Sequence, residues 1–226
     1  MKPMNKIVLV VAAHTDDEVL GCGGAILRHV ADNDMVHGIF MTDGISARDD
    51  RSERLRHERR LAAEKAHKIL GLSTVHHLDF PDNQMDTVSA LDLAKSVETV
   101  IQKLNPEVIY THHRGDLNID HCLTARATMV ACRPQPGCSV KEIYGFEVLS
   151  STGWDAPQEK PFTPEMFVDI SNVLEKKIEA FRAYSHEVRP SPHARSKENV
   201  EYLAKYRGHH IGVDAAEAFS VLRLVR

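Results

Sequence analysis

The chain has 226 residues, of which 42% are hydrophobic and 27% charged, and its formal net charge is −4. This length and composition fit one ordinary globular domain, which can bury a core without disulfides or a structural metal. The slightly acidic balance gives no indication of the basic surface by which proteins bind nucleic acid or an anionic membrane. We therefore expect a single domain over residues 1–226 that has no nucleic-acid partner.

The cysteines and the apolar runs bear on the compartment. The four cysteines contain no Cys-x-x-Cys pair, and this spacing favours reduced thiols over a disulfide framework or a cysteine zinc cluster. The apolar run at residues 7–13 is too short for a signal peptide, and no stretch approaches the roughly 20 residues of a membrane span. We expect a cytoplasmic protein without stable membrane insertion.

The hydrophobic pattern predicts strands and helices in alternation. Residues 6–13 form a continuous run typical of a strand buried on both faces, and a helix is predicted over residues 19–32. Further strands are predicted at residues 35–42, 75–78, 107–111, 141–149 and 218–225, and further helices at residues 52–70, 88–104, 121–131, 171–185 and 197–206. This alternation predicts an α/β fold, Rossmann-like, with a mostly parallel sheet and helices on both faces.

Three polar clusters follow directly after predicted strands. They lie at residues 14–18, 43–44 and 112–121. In open α/β sheets, ligands bind in the crevice outside the carboxyl ends of the strands. If the sheet is parallel, the three clusters converge on one edge, which is where we expect the chemistry.

The first cluster reads His14-Thr15-Asp16-Asp17-Glu18. Neighbouring carboxylates raise each other's pKa, and a divalent metal would relieve that repulsion. Catalytic zinc sites take three protein ligands from histidine and carboxylate and leave a further position open. One aspartate could then bind the metal while its neighbour acts as a general base. The same residues could instead cap the following helix, and this cluster alone does not decide between the two interpretations.

The second cluster, residues 112–121, favours the metal interpretation. It places His121 after a different strand, with Asn118 and Asp120 beside it. Metal-bound histidines commonly need a carboxylate or carbonyl behind them to fix the tautomer. The chain has 14 histidines, however, and several of them must be bystanders.

These two blocks together resemble the PIG-L (LmbE-like) de-N-acetylase family. The family signature Ala-His-Pro-Asp-Asp-Glu is similar to residues 13–18, and a second block, Asp-x-Asn-x-Asp-His, is similar to residues 116–121. Smaller similarities extend over nearly the whole chain. Thr15 replaces the usual proline, and Asn118 stands where some members carry a histidine.

The resemblance implies a zinc-dependent hydrolase that removes the N-acetyl group of an amino sugar or an amino-sugar conjugate. It implies that His14, Asp17 and His121 hold Zn²⁺, although such a ligand set also accepts other divalent metals. Asp16 would be the general base that activates water, and Asp120 would support a metal ligand from behind without binding the metal itself.

Two matters stay open within the resemblance. Asn118 would stabilise the oxyanion, or another group such as His112 or His193 would protonate the leaving amine; Asp16 could also return the proton. The candidates for binding the substrate are Arg59, Asp82, Arg133, Glu147 and His193. Each of these has an alternative role in a surface ion pair or a helix cap. Residues 150–226 would supply loops on the substrate side, with residues 182–195 as a rim or lid, and a homo-oligomer is possible.

Competing interpretations remain to be tested. The glycines at residues 21–24 could form a phosphate-binding loop, but the preceding three acidic residues would repel a pyrophosphate. A second interpretation keeps the metal but makes the protein a phosphoesterase or an amidase acting on a non-sugar substrate. A third is a binding module without catalysis.

Overall fold

The computed structural model describes residues 5–48, 52–154 and 161–226, which form a seven-stranded sheet with helices on both faces. The strands are β1 (Ile7–Ala12), β2 (Met35–Thr42), β3 (Thr74–Phe80), β4 (Val108–His112), β5 (Glu142–Phe146), β6 (Met166–Asp169) and β7 (Ala216–Leu224). The helices are α1 (Asp17–Ala31), α2 (Glu53–Leu70), α3 (Ala90–Leu104), α4 (Ile119–Ala131), α5 (Leu174–Ala183) and α6 (Lys197–His209), with a short 3₁₀ turn at Met85–Thr87.

The strand order across the sheet is β3-β2-β1-β4-β5-β7-β6. The first five strands pair in parallel, while β7 runs antiparallel to both β5 and β6. The predicted fold class is therefore confirmed. Strand β6 was not predicted, because four residues at a sheet edge, three half-buried and one exposed, are too few to show a periodicity.

The core lies on both faces of the sheet. In β1, Val8 and Val10 pack on the face covered by α1, α2 and α5, while Leu9 and Val11 pack on the face covered by α3 and α4. This burial on both faces explains why the strand is apolar without alternation. Helices α2, α3 and α6 are each capped at the N-terminus by a serine side chain, that of Ser52, Ser89 and Ser196, respectively.

Helix α1 is interrupted at Cys22, whose φ of −146° is not helical. The carboxylate of Glu217 accepts hydrogen bonds from the N–H groups of Gly24 and Ala25, both at 2.7 Å. The Nζ of Lys177 lies 2.6 Å from the same carboxylate and donates to the carbonyl of Leu20 at 3.0 Å. One buried ion pair thus provides hydrogen-bond partners for the backbone groups on both sides of the break in the helix.

This arrangement contradicts the phosphate-loop interpretation of residues 21–24. The N–H groups that would bind a phosphate already bind a carboxylate of the same chain. The glycines serve close packing instead, because a Cβ on Gly21 would lie 2.2 Å from the ring of Phe146.

Within the described ranges, no helix combines the length and the apolar character that crossing a bilayer requires. None of the four cysteines, all of which lie in the described ranges, forms a disulfide.

Candidate metal centre and active-site cleft

The candidate site lies where the sheet changes direction. Strand β1 is flanked by β2 and β4, so the connections that leave β1 and β4 run to opposite faces of the sheet. In such a topology a crevice opens outside the carboxyl ends of the two strands. His14 follows β1 by two residues, and His121 lies in the first turn of α4, after β4. At the end of β2, Asp43 accepts hydrogen bonds within its own turn, from the N–H groups of Ile45 and Ser46.

Three buried donor atoms face one another across this crevice. Asp17 Oδ2 lies 3.1 Å from His14 Nδ1 and 3.3 Å from His121 Nε2, and the two histidine nitrogens are 3.3 Å apart. Ligands at about 2.05 Å from a tetrahedral zinc ion lie about 3.4 Å from one another. The other oxygen of Asp17 is buried without a hydrogen-bond partner among the described residues. The donor set therefore fits one divalent metal ion.

The electrostatics of this trio also fit a cation. Burial alone would raise the pKa of the Asp17 carboxyl, but the neighbouring His121 and His112 hold that pKa well below its usual range. Burial would lower the pKa of His121, yet Asp17 and Asp116 raise it to about 8. The pKa of His14 also lies well above its usual value, because three aspartates outweigh its burial. A positive charge is thus favoured on His14 and His121 beside Asp17, and a bound metal ion would supply that charge in place of the protons.

The carboxylate that orients His121 is that of Asp116, for which the sequence pattern indicated no role. Asp116 Oδ1 lies 3.2 Å from His121 Nδ1, on the side of the ring away from Asp17, and Ser151 Oγ lies 3.3 Å from the same nitrogen. Burial would raise the pKa of Asp116, but His121 lowers it to about 2. The ring of His112 stacks on His121 at a centroid distance of 3.9 Å. Asp116 was visible only as the first residue of the second motif.

Asp120 stands behind the other histidine. Its Oδ2 lies 3.3 Å from His14 Nε2 and accepts the N–H of Asn83 at 2.6 Å. Asp82 Oδ1 lies 3.1 Å from the same His14 nitrogen. A neutral imidazole that binds a metal through Nδ1 carries its proton on Nε2, where these two carboxylates accept it.

The backbone conformation of Asp16 and the hydrogen bonds of its side chain do not match a helix cap. It lies at the N-terminus of α1 with a φ of 109°, in the left-handed region, and its side chain makes no capping hydrogen bond. Its N–H donates to Glu18 Oε2 at 2.9 Å, and its Oδ2 accepts from Arg195 Nη1, also at 2.9 Å. Burial raises the pKa of Asp16 to about 7, even though Arg195 opposes the shift.

Asp16 and His14 open onto a polar cavity of about 190 Å³. Its lining contains three of the residues singled out above for the substrate side or the oxyanion, namely Arg59, Asp82 and Asn118, and also Arg48, Asn83 and Arg195. The carboxylate of Glu187 pairs with Arg48, Arg59 and Arg195. The sequence pattern indicated no role for Glu187 and placed Arg195 only at the end of the predicted rim.

Asn118 is occupied as a helix cap. Its Oδ1 accepts the N–H of Asp120, in the first turn of α4, at 2.8 Å, and its Nδ2 donates to Asn83 Oδ1 at 3.1 Å. Asn118 therefore lines the cavity with an amide that already has partners on both sides.

Three predicted substrate residues, Arg133, Glu147 and His193, are not among the residues that line this cavity. Arg133 follows the far end of α4 and pairs with Glu98 at 3.8 Å. Because α4 has 13 residues, its two ends are about 20 Å apart. Glu147 forms a two-pronged pair with Arg207, with both distances 2.8 Å.

Neither His193 nor His112 is among the residues that line the cavity. His193 is exposed, and its Nδ1 accepts the N–H of Arg195 at 2.9 Å. His112 is fully buried, and its Nε2 accepts the N–H of Ala13 at 2.9 Å. Burial and the neighbouring His121 lower the pKa of His112 well below its usual value.

Comparisons with known proteins agree with this geometry. A family model described as PIG-L, GlcNAc-PI de-N-acetylase, matches residues 9–132. The chain is 31% identical over 170 residues to an uncharacterized deacetylase, YaiS, of Escherichia coli, a match that covers 73% of the chain and 82% of the relative. It is 28% identical over 197 residues to the diacetylchitobiose deacetylase of Thermococcus kodakarensis, covering 81% and 71%.

Two further similarities complete the comparison. The chain is 28% identical over 200 residues to the 4-oxalmesaconate hydratase of Pseudomonas putida, covering 80% of the chain and 74% of the relative. Its fold matches the crystal structure of N,N'-diacetylchitobiose deacetylase from Pyrococcus horikoshii with a TM-score of 0.80 at 21% identity, covering 97% and 85%.

Proposed function

The chain belongs to the GlcNAc-PI de-N-acetylase (PIG-L) family, and from this premise we propose that it is a metal-dependent hydrolase of the N-acetyl group of an amino sugar or amino-sugar conjugate. One observation carries the proposal. The donor atoms of His14, Asp17 and His121 form a buried triangle with edges of 3.1 to 3.3 Å, and Asp16 lies beside it on the wall of a polar cavity.

We propose that the metal is zinc, with other divalent ions as alternatives. His14, Asp17 and His121 would hold it, and Asp116 and Asp120 would orient the two histidines. When bound, such an ion polarises the substrate carbonyl and lowers the pKa of water toward about 7.

The side chains around the cavity would divide the remaining work. Asp16 would accept a proton from the attacking water and return it to the amine as the C–N bond breaks, so that acetate and a free amino sugar leave. Its burial beside the donor atoms of His14 and Asp17, and its position on the cavity wall, suit it to that transfer. Asp82, Asn83 and Asn118 on the lining suit the hydroxyl groups of a sugar, which need planar polar partners.

The similarity to a hydratase suggests the main alternative to deacetylation, which is the hydration of a double bond. A hydratase adds water to a carbon–carbon double bond, whereas a deacetylase cleaves an amide, and a water-activating centre serves both reactions. The family description and two of the relatives name deacetylases, so we favour amide hydrolysis.

A substrate panel tests this proposal. The zinc-loaded protein should release acetate from N-acetylglucosamine or N,N'-diacetylchitobiose, and a chelator should abolish that release until zinc is returned. The comparison compounds are a phosphate monoester, an N-acetyl amino acid and an unsaturated dicarboxylate. Turnover of one of these without acetate release from any amino sugar would contradict the proposal.

We also infer a cytoplasmic location from the four cysteines, none of which forms a disulfide. The location and the possible homo-oligomer are both predictions. Fractionation of cells and light scattering on the purified protein check them.

A further inference from the structure

Arg195 and Asp16 meet across 179 residues of sequence. Arg195 Nη1 donates to Asp16 Oδ2 at 2.9 Å, and this is the only side-chain hydrogen bond of Asp16 within the described part of the chain. The Asp16 side chain is almost wholly buried, and the Arg195 side chain is 22% exposed. Arg195 comes from the segment between α5 and α6, which lies outside residues 9–132 where the family model matches.

The guanidinium of Arg195 is itself held in place. Its Nη1 also donates to Glu187 Oε2 at 2.9 Å, and its Nε donates to Ser150 Oγ at 2.8 Å. A planar group bound at two of its edges has little freedom to rotate. Glu187 is 7% exposed and is anchored in turn by Arg59.

The backbone of Asp16 is fixed from the opposite side. Glu18 accepts the N–H of Asp16 at 2.9 Å and the hydroxyl of Tyr184 at 2.6 Å, and all three residues are buried. Glu18 thus supports the left-handed backbone of Asp16, while Arg195 restrains its carboxylate.

We propose that Arg195 is a positioning residue that holds the Asp16 carboxylate in the orientation needed for proton transfer. This inference rests on the proposed function, in which Asp16 is the base. Arg59 offers a contrast, because it shares Glu187 with Arg195 and lines the same cavity but makes no hydrogen bond to Asp16.

Substitution of Arg195 with a kinetic readout tests the proposal. Arg195→Ala should lower kcat by roughly tenfold to a hundredfold, because misplacing a catalytic group by about 1 Å can cost about that much. KM and the zinc content should change little. Added guanidinium at millimolar concentration should restore part of kcat, whereas ammonium should not. Arg195→Lys should keep less activity than the rescued alanine variant, since an ammonium cannot make both contacts.

Arg126→Ala is the matched control. Arg126 is an exposed arginine of α4 that is not among the residues lining the cavity. This variant should keep the wild-type kcat. A higher KM with unchanged kcat in Arg195→Ala would make Arg195 a substrate-binding residue and overturn the proposal. Loss of zinc, or a lower kcat without guanidinium rescue, would also overturn it.

A second measurement separates this proposal from the proposed function. In the metal-free protein, Arg195→Ala should lower the midpoint of thermal unfolding more when Asp16 is present than in an Asp16→Asn background, because the second background already lacks the charge-assisted hydrogen bond between Arg195 and the Asp16 carboxylate. Equal shifts in the two backgrounds would overturn the pairing. If no compound of the panel is hydrolysed but the shifts differ, the pairing stands and the proposed function fails.

Discussion

Residues 5–132 and residues 161–226 contribute to the site in different ways. The first region supplies the three proposed metal ligands His14, Asp17 and His121, from two short segments that follow β1 and β4. The second region supplies none of these ligands, but two of its charged pairs reach back to α1. Lys177 and Glu217 join the broken halves of that helix, and Arg195 with Glu187 covers Asp16.

The difference separates binding chemistry from its support. Ligands that follow strands are placed by the sheet itself, because neighbouring parallel strands end at the same edge. The supporting charges come from segments that pack later in the chain, and they act at distances in sequence of 157 to 193 residues. We therefore expect substitutions in the first region to abolish chemistry with little loss of stability, and some in the second to do the reverse.

The largest expected effect comes from Asp17→Asn. It should leave the protein folded but lower its zinc content well below one ion per chain, and acetate release should fall by at least about 10³-fold, since a catalytic ion contributes several kcal/mol. Elemental analysis, circular dichroism and the acetate assay measure the three quantities. Asp16→Asn is the matched variant, which should keep its zinc and lose about 10²- to 10⁴-fold in kcat. Full zinc occupancy in Asp17→Asn would break the comparison.

A smaller effect, on stability, is expected for Lys177→Met. It leaves the Glu217 carboxylate buried without its partner, and the free energy of unfolding should fall by about 3–5 kcal/mol. Urea titration measures this. The double variant Lys177→Met with Glu217→Gln should be more stable than Lys177→Met alone, because no unpaired charge remains. The molecules that stay folded should keep their zinc, and loss of zinc in parallel with stability would contradict the separation of roles.

The smallest effect is expected for Arg133→Ala. Its pairing with Glu98 is half-exposed, so stability should change by no more than about 0.5 kcal/mol and kcat/KM should stay within measurement error. Arg59→Ala, a substitution in the cavity wall, should by contrast raise KM for the sugar. A loss of activity in Arg133→Ala would show that the active enzyme uses a surface that the structure places elsewhere.

Much of the fold could be predicted because its signals are local. The continuous apolar run of β1 and the αL glycine that ends α2, Gly71, are visible within a few residues. The same holds for the trio of His14, Asp17 and His121, whose members follow strands. Strand β6 and the break in α1 escaped prediction, because the first is short and the second depends on Lys177 and Glu217 from elsewhere in the chain.

By itself, the sequence determined which residues could bind a metal and at which edge of the sheet they would meet, since strand direction and motif spacing are properties of short segments. Only the tertiary structure decided which carboxylate stands behind which histidine, Asp116 behind His121 and Asp120 behind His14. The tertiary structure also places Arg133 and Glu147 in ion pairs away from the cavity wall, and it places Arg195 in hydrogen-bond contact with Asp16. The physical reason is that a hydrogen bond depends on ångström-scale distance and direction, and packing sets these independently of separation along the chain.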